Sequence, residues 1–121
     1  MTITEKNKLI ADFMGYSKPH PDYPNSNYWY KKGEQPLTTL LFDVSWDWLM
    51  PVVEAVENKK MVLGTSLQWD EVGESHCFEI QPGLKHTFNL LITERDNKID
   101  AVYDGIVEFI QTYNQLKKQL D

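Results

Sequence analysis

The chain has 121 residues, of which 41% are hydrophobic, so it is long enough to enclose the core of one domain. Its formal net charge of −6 at pH 7 opposes binding to the phosphates of long nucleic acids or to anionic membranes, which requires positive charge. No stretch reaches the roughly 20 apolar residues of a membrane span, and the N-terminal segment lacks the apolar run of a secretory signal. We therefore expect a single domain over residues 1–121, located in the cytoplasm.

A single cysteine, Cys77, excludes an internal disulfide and a cysteine-based zinc site, which fits a reducing compartment. Arg95 is the only arginine among the twelve basic residues. A phosphate site would therefore depend on lysine ammonium groups and backbone amides, without the bidentate grip of a guanidinium. The motifs of phosphate loops, dinucleotide-binding folds, zinc proteases and nucleophile elbows do not occur, so we expect no metal and no cofactor.

The first predicted element is a helix from about Thr4 to Met14, followed by Gly15, which suits the left-handed residue at a helix end. The apolar residues that recur near helical spacing are Ile3, Ile10, Phe13 and Met14. The pattern is lost from Tyr16 to Gln35, a long irregular stretch rich in proline. Its aromatic side chains indicate that it packs against the rest of the chain.

A second helix is expected to reach about Asn58, with either Ser45 or Asp47 as its N-cap, after a short strand or extended lead over 37–42. Pro51 favours Asp47, because the proline then falls at the fourth helical position, where its missing N–H has no intrahelical partner. If Ser45 is the cap instead, the first turn should be tight or kinked.

Trp46 and Trp48 lie two residues apart at this helix start. At roughly 100° per residue their indoles point about 200° apart, so they cannot both enter one core face. One indole is then expected to cover a loop, line a ligand pocket or meet another subunit. We accordingly expect a homo-oligomer, most simply a two-fold dimer.

Three strands are predicted next, over Met61–Leu67, Ser75–Ile80 and His86–Thr93. The connection Gln81–Leu84 places proline and glycine where a type II turn needs them, which predicts an antiparallel hairpin between the last two strands. In the second predicted strand, alternation places His76, Phe78 and Ile80 on one face. In the third, it places His86, Phe88, Leu90 and Ile92 on one face.

The last predicted helix runs from about Lys98 to Leu120, with Asn97 as its cap and Asp100 at the reciprocal capping position. Its apolar stripe comprises Ile99, Val102, Ile106, Phe109, Ile110 and Tyr113. The order of helix, loop, helix, three strands and helix predicts an α+β domain. We expect a three- to four-stranded, mainly antiparallel sheet with packed helices.

Three segments carry a resemblance to a known family: residues 7–16, residues 45–54 (SWDWLMPVVE) and residues 98–103, extended by Val107–Ile110 and Tyr113–Asn114. They resemble small proteins of phages and their bacterial hosts, and are similar in layout to the phage ABA-sandwich domains. This resemblance implies an α/β sandwich and a phage or prophage context in a bacterial cytoplasm. It implies no catalytic residue, because the family carries no established activity.

The closest approach to a metal or catalytic site is an acidic segment with the right ligand types but no recognised spacing: Asp70, Glu71, Glu74, His76 and Cys77. A solvated turn between two strands is the more common origin of such a cluster. His76 and His86 could face each other across the predicted hairpin as an acid/base pair, although a plain strand-end pair is the more common arrangement.

The long loop contains adjacent aromatic and lysine residues, and the start of the second helix contains two tryptophans. These residue types suit ligand binding rather than catalysis. Aromatic faces stack on nucleobases, ammonium groups meet phosphates, and amides at a helix start add a second anion anchor. The candidate ligand-binding residues are Tyr28, Trp29, Tyr30, Lys31, Lys32, Ser45, Trp46 and Trp48. A loop that fastens its aromatics over the core is the alternative interpretation.

We therefore expect a non-enzymatic phage-type accessory protein that binds and sequesters a small anionic, nucleotide-like ligand, with a counter-defence role implied by the resemblance. A protein–protein interaction module, or an inhibitor of a host protein, is the first alternative. A small hydrolase that uses the acidic and histidine residues is the second.

Overall fold

The computed structural model describes residues 1–17, 29, 31, 39–59, 62–69, 76–82, 91–95 and 97–120. These residues form three helices and three strands, which confirms the predicted α+β class. In chain order the elements are α1 (Ile3–Phe13), α2 (Trp46–Glu57), β1 (Val62–Trp69), β2 (His76–Pro82), β3 (Leu91–Arg95) and α3 (Lys98–Leu120).

Helix α1 has a defined cap at each end. The Thr2 hydroxyl oxygen accepts a hydrogen bond from the Glu5 N–H at 3.1 Å, and Gly15 has a φ of 92° directly after the C-cap, as the sequence predicts. Ile10 is fully buried, but Ile3, which was expected on the same face, is 50% exposed. Ile3 opens the helix, beyond the part of α1 that covers the core.

Helix α2 begins after Ser45, so the preference for Asp47 as the cap was wrong. The backbone of Ser45 is extended, and its carbonyl accepts the N–H groups of both Trp48 (3.2 Å) and Leu49 (3.0 Å). This shared acceptor tightens the first turn, as expected for a helix that starts here. Pro51 lies inside the helix. Because proline has no N–H, the carbonyl of Asp47, four residues earlier, lacks its usual donor.

The described strands pair in the order β1-β2-β3, and both pairings are antiparallel. The antiparallel pairing of the second and third predicted strands is thus confirmed. Strand β2 continues through Gln81 and Pro82, which pair with β1, so the turn predicted over 81–84 was placed too early. Residues 83–90, including the rest of that turn and His86, lie outside the described residues.

Strand β3 turns its face that contains Thr93, and not the one that contains Ile92, toward helix α3. Ile92 is 54% exposed, whereas Thr93 is buried, and its hydroxyl donates to the Ala101 carbonyl of α3 at 2.5 Å. The β2 partner of Thr93 is Phe78, which is also buried. Phe88 and Leu90, which share a face with Ile92 in the prediction, lie outside the described residues. The Thr93 hydroxyl can be buried because it finds an acceptor on α3.

Helix α3 is the central packing element of the described fold, because it contacts β2, β3, α1 and α2. Its first turn is capped as predicted, with the Asp100 N–H donating to Asn97 Oδ1 at 3.0 Å. The predicted stripe is buried at four of its six positions and partly buried at Ile99 and Tyr113. Gly105 lets the helix approach the sheet closely, since a Cβ at this position would overlap the Phe78 ring.

Candidate functional site

The loop residues of the predicted site separate into two groups. Trp29 is only 7% exposed and belongs to the core cluster, which is the anchoring role that the sequence left open rather than an accessible stacking platform. Lys31 is half-buried, and its ammonium group lies 5.5 Å from the centroid of the Tyr16 ring. Tyr28, Tyr30 and Lys32 lie outside the described residues.

Both tryptophans at the start of α2 are partly buried and pack against the core. Trp48 meets Phe42 edge to face, with ring centroids 5.3 Å apart and an interplanar angle of 83°. Both indoles therefore have a place on their own chain, which reduces the reason for expecting a second subunit at this position.

Trp48 forms one wall of a cleft of about 260 Å³ between the end of α1 and the start of α2. We call it the aromatic cleft, and its lining residues are Met14, Tyr16, Phe42, Asp47, Trp48 and Pro51. Three of these six side chains are aromatic and only one is charged. Ser45 and Trp46, which the sequence also placed at the site, are not among the lining residues.

The wall formed by Tyr16 depends on the way the chain leaves α1. The left-handed Gly15 reverses the backbone, and the Tyr16 N–H then donates to the Ala11 carbonyl at 2.9 Å. This bond holds Tyr16 beside the last turn of the helix. Sequence reasoning identified the glycine but missed its consequence, which is that Tyr16 is directed toward the second helix.

Asp47 supplies the hydrogen-bonding capacity of the aromatic cleft. Its side chain is exposed at the lip, and no described residue donates a hydrogen bond to its carboxylate. Its backbone carbonyl also lacks the usual helical donor, because Pro51 has no N–H. The cleft thus presents the Asp47 carboxylate as an acceptor at the α2 side.

The positive charge near the cleft belongs to Lys31, which lies beside the Tyr16 ring on the α1 side. Within the described part of the chain, no carboxylate lies in ion-pair range of the Lys31 ammonium group. The Cε of Lys31 would lie 3.9 Å from a Cβ placed on Gly15, so the lysine stem follows the turn that positions Tyr16. An anionic group would meet Lys31 here, whereas it would be repelled at Asp47.

A buried hydrogen-bond network connects α1 with α3 and with the segment that leads into α2. The Asn7 side-chain amide donates to the Leu40 carbonyl at 3.2 Å and to Asp43 Oδ1 at 3.0 Å. The Tyr103 hydroxyl donates to Asn7 Oδ1 at 2.9 Å. Burial, and then the charges of Asp43 and Asp104, raise the pKa of Tyr103, so the phenol remains a donor.

Asp104 is paired with two cations, and Lys59 lies against two aromatic rings. Asp104 binds the Lys6 ammonium at 3.0 Å and the Arg95 guanidinium at 2.9 Å, one on each carboxylate oxygen. The Lys59 ammonium lies 5.1 Å from the Phe13 ring centroid and 5.0 Å from that of Tyr113. These contacts stabilise the packing of the helices.

The described residues contain no group of three or more side chains arranged to hold a metal ion. Asp70, Glu71 and Glu74 lie outside them. The register pairs His76 with Arg95, so it does not provide the His76–His86 pair that the sequence allowed; His86 itself lies outside the described residues. Across the described helices, none combines the length and the apolar character needed to cross a membrane.

Comparison with protein-family models, with curated proteins and with solved structures finds no match for this chain.

Proposed function

We propose that this protein is a non-catalytic binding protein that holds a small anionic, nucleotide-like ligand in the aromatic cleft. The observation that carries the proposal is the convergence of Tyr16, Phe42 and Trp48 on one cleft of about 260 Å³. Concave, largely apolar sites with a few polar groups are the usual form of small-molecule sites. Aromatic rings bind flat heterocycles by stacking, which suits a nucleobase.

The charges around the cleft support the same ligand class and give it an orientation. The phosphate end belongs at Lys31, whose ammonium lies on the Tyr16 ring and has no carboxylate partner in the described chain. The base end belongs between the aromatic rings, toward Asp47. Relative to the sequence-based site, the proposal keeps Lys31 and Trp48 and replaces Trp29 by Tyr16 and Phe42.

The biological setting of this proposal rests on the resemblance to the phage ABA-sandwich family described above. We propose a phage or prophage accessory protein in a bacterial cytoplasm, with an α/β sandwich of three or four strands. Sequestration of a nucleotide signal would there counter host defence.

A protein-interaction module remains the second candidate, because apolar side chains are exposed beside the start of α2. Val44 is 67% exposed, Met50 44% and Leu41 37%. Exposed apolar residues that lie close together often mark contacts with another protein, whether a host protein or a second copy of this chain.

Calorimetric titration with nucleoside monophosphates tests the proposed function. The wild-type protein should bind, and Tyr16→Ala should weaken the affinity by roughly 5- to 150-fold, because a base–aromatic stack contributes about 1–3 kcal/mol. Lys31→Ala should also weaken binding. Lys117→Ala, which removes an exposed lysine at the far end of α3, is the matched control and should leave the affinity unchanged.

Mass spectrometry of the recovered nucleotide separates the three function classes. An unchanged nucleotide supports sequestration, whereas a converted one would establish an enzyme. Absence of binding by the wild type contradicts the proposed function and leaves the protein-interaction module as the better description.

A further inference from the structure

We infer that the aromatic cleft selects guanine among the nucleobases, with the Asp47 carboxylate accepting hydrogen bonds from the N1–H and the N2 amino group of the base. This inference rests on the proposed function, since it names the ligand of the same site. It also goes beyond it, because stacking alone tolerates every base.

The first step concerns what Asp47 can accept. A carboxylate is acceptor-only, and no described residue donates to this one. Any ligand group placed against it must therefore donate. The phosphate end of a nucleotide is excluded from this position by charge, so the base end must lie here.

The second step compares the edges of the bases. Guanine alone offers two adjacent donors, N1–H and the N2 amino group, which match the two oxygens of one carboxylate in parallel. Adenine and cytosine each place an acceptor nitrogen beside their amino group, and uracil flanks its single N–H with two carbonyls. Those acceptors would face the Asp47 carboxylate and repel it, so only guanine satisfies both oxygens.

The third step concerns the strength of the contact. Hydrogen bonds to a charged acceptor are roughly twice as strong as those between neutral groups, and a paired geometry adds selectivity. The other described lining residues are Met14, Pro51 and the three aromatic residues, and a base stacked among them covers part of the otherwise exposed Asp47 contact.

The fourth step concerns the other end of the ligand. Lys31 lies on the Tyr16 ring, which belongs to the α1 wall of the cleft, whereas Asp47 belongs to the α2 wall. A guanine nucleotide can therefore direct its donor edge to α2 and its phosphate to Lys31. The reverse orientation places the phosphate against the Asp47 carboxylate and sets the donor edge of the base against the Lys31 ammonium group, which can only donate.

The experiment titrates the whole protein with GMP, IMP and AMP. GMP should bind about tenfold more tightly than IMP, which keeps N1–H but lacks the N2 amino group, and more tightly still than AMP. In the Asp47→Asn variant, the amide presents one donor and one acceptor, which complement adenine. The preference should therefore shift from GMP toward AMP. A general loss of structure cannot produce such an inversion.

Glu54→Gln is the matched control, because it neutralises another exposed acid of α2 that does not line the cleft, and it should keep the preference for GMP. Equal affinities of the wild type for the three nucleotides would overturn the guanine inference and leave the proposed function intact. Failure of all three to bind would overturn both. Binding of choline in their place would also overturn both and would show that the carboxylate and the aromatic rings hold a cation.

Discussion

At the scale of single residues, the most informative side chain is Asn7. It is buried to 6% exposure within α1, and all of its hydrogen-bonding groups are engaged by Leu40, Asp43 and Tyr103. No described buried side-chain nitrogen or oxygen lacks a partner. Such a network stabilises one arrangement of the chain, because every alternative packing leaves a buried polar group unsatisfied.

Replacement of Tyr103 by Phe should lower the free energy of unfolding by about 1–3 kcal/mol, because the Asn7 side-chain oxygen then loses its buried donor. Chemical denaturation measures the change. Tyr113→Phe is the matched control, since Tyr113 is only partly buried and contacts its neighbours through its ring. Equal stabilities of the two variants would show that the phenol contributes nothing to the fold.

The raised pKa of Tyr103 predicts a loss of stability at alkaline pH. Burial and two nearby carboxylates raise the pKa of Tyr103 above its ordinary value of 10.0. Below pH 10 the phenol is protonated in both the folded and the unfolded chain, and its contribution is fully present. As the pH rises beyond 10, the unfolded chain releases the proton first, so the folded state loses stability. Denaturation midpoints between pH 8 and pH 11 should fall more steeply for the wild type than for Tyr103→Phe, and parallel curves would contradict this.

At the scale of elements, α3 determines the spacing between the helices and the sheet. Gly105 faces Phe78 of β2, and a Cβ here would also lie 3.1 Å from Thr93 Oγ1. The helix can therefore settle on the strands with little side-chain volume between them. This close approach is also what brings the Ala101 carbonyl within reach of the Thr93 hydroxyl.

Gly105→Ala should destabilise the protein, although alanine is the better helix former. Overpacking costs about 1–3 kcal/mol, while the helix propensity returns about 1 kcal/mol, so the net effect is a lower free energy of unfolding. Asn114→Ala, at an exposed position of the same helix, is the control and should cause no loss. If Gly105→Ala were as stable as this control, the close contact with Phe78 would not exist in solution.

Elements with a strong periodic pattern could be predicted from the sequence. The residues at which they begin and end could be predicted only where the signals are local. The bounds and cap of α3 follow from its own residues, because an amphipathic stripe and an Asn97 cap are local signals. The start of α2 does not follow from its own residues, because Ser45 becomes the N-cap through a backbone turn over residues 42–44. Thr93 is buried for a tertiary reason, which is its acceptor on α3.

The candidate site could be predicted only in part. Trp48 and Lys31 were identified by type and position; Trp48 lines the aromatic cleft, and Lys31 contacts the Tyr16 ring without lining the cleft itself. Tyr16 and Phe42 were missed, because each lies outside the helices and meets the start of α2 only through the tertiary fold. Periodicity describes one element at a time, whereas this cleft lies between two.

At the scale of the whole molecule, we predict a two-fold dimer formed through the exposed apolar residues beside the start of α2. Val44→Asp should shift sedimentation at micromolar concentration toward the monomer, because it places a charge within that surface. Ile92→Asp is the control, since Ile92 is similarly exposed but lies on the sheet. Added salt should strengthen association by screening the repulsion between two chains of net charge −6. A wild-type protein that sediments as a monomer throughout would contradict the dimer.

The stiffness of the aromatic cleft has a consequence for how fast a ligand is exchanged. Pro51 has no side-chain rotation to lose, the edge-to-face pair of Phe42 and Trp48 supports itself, and Tyr16 is held by its backbone bond to α1. Little conformational entropy is then surrendered when a ligand enters, so association should need no rearrangement of the walls. Differences between ligands should appear almost entirely in their residence times, with similar rates of capture for all of them.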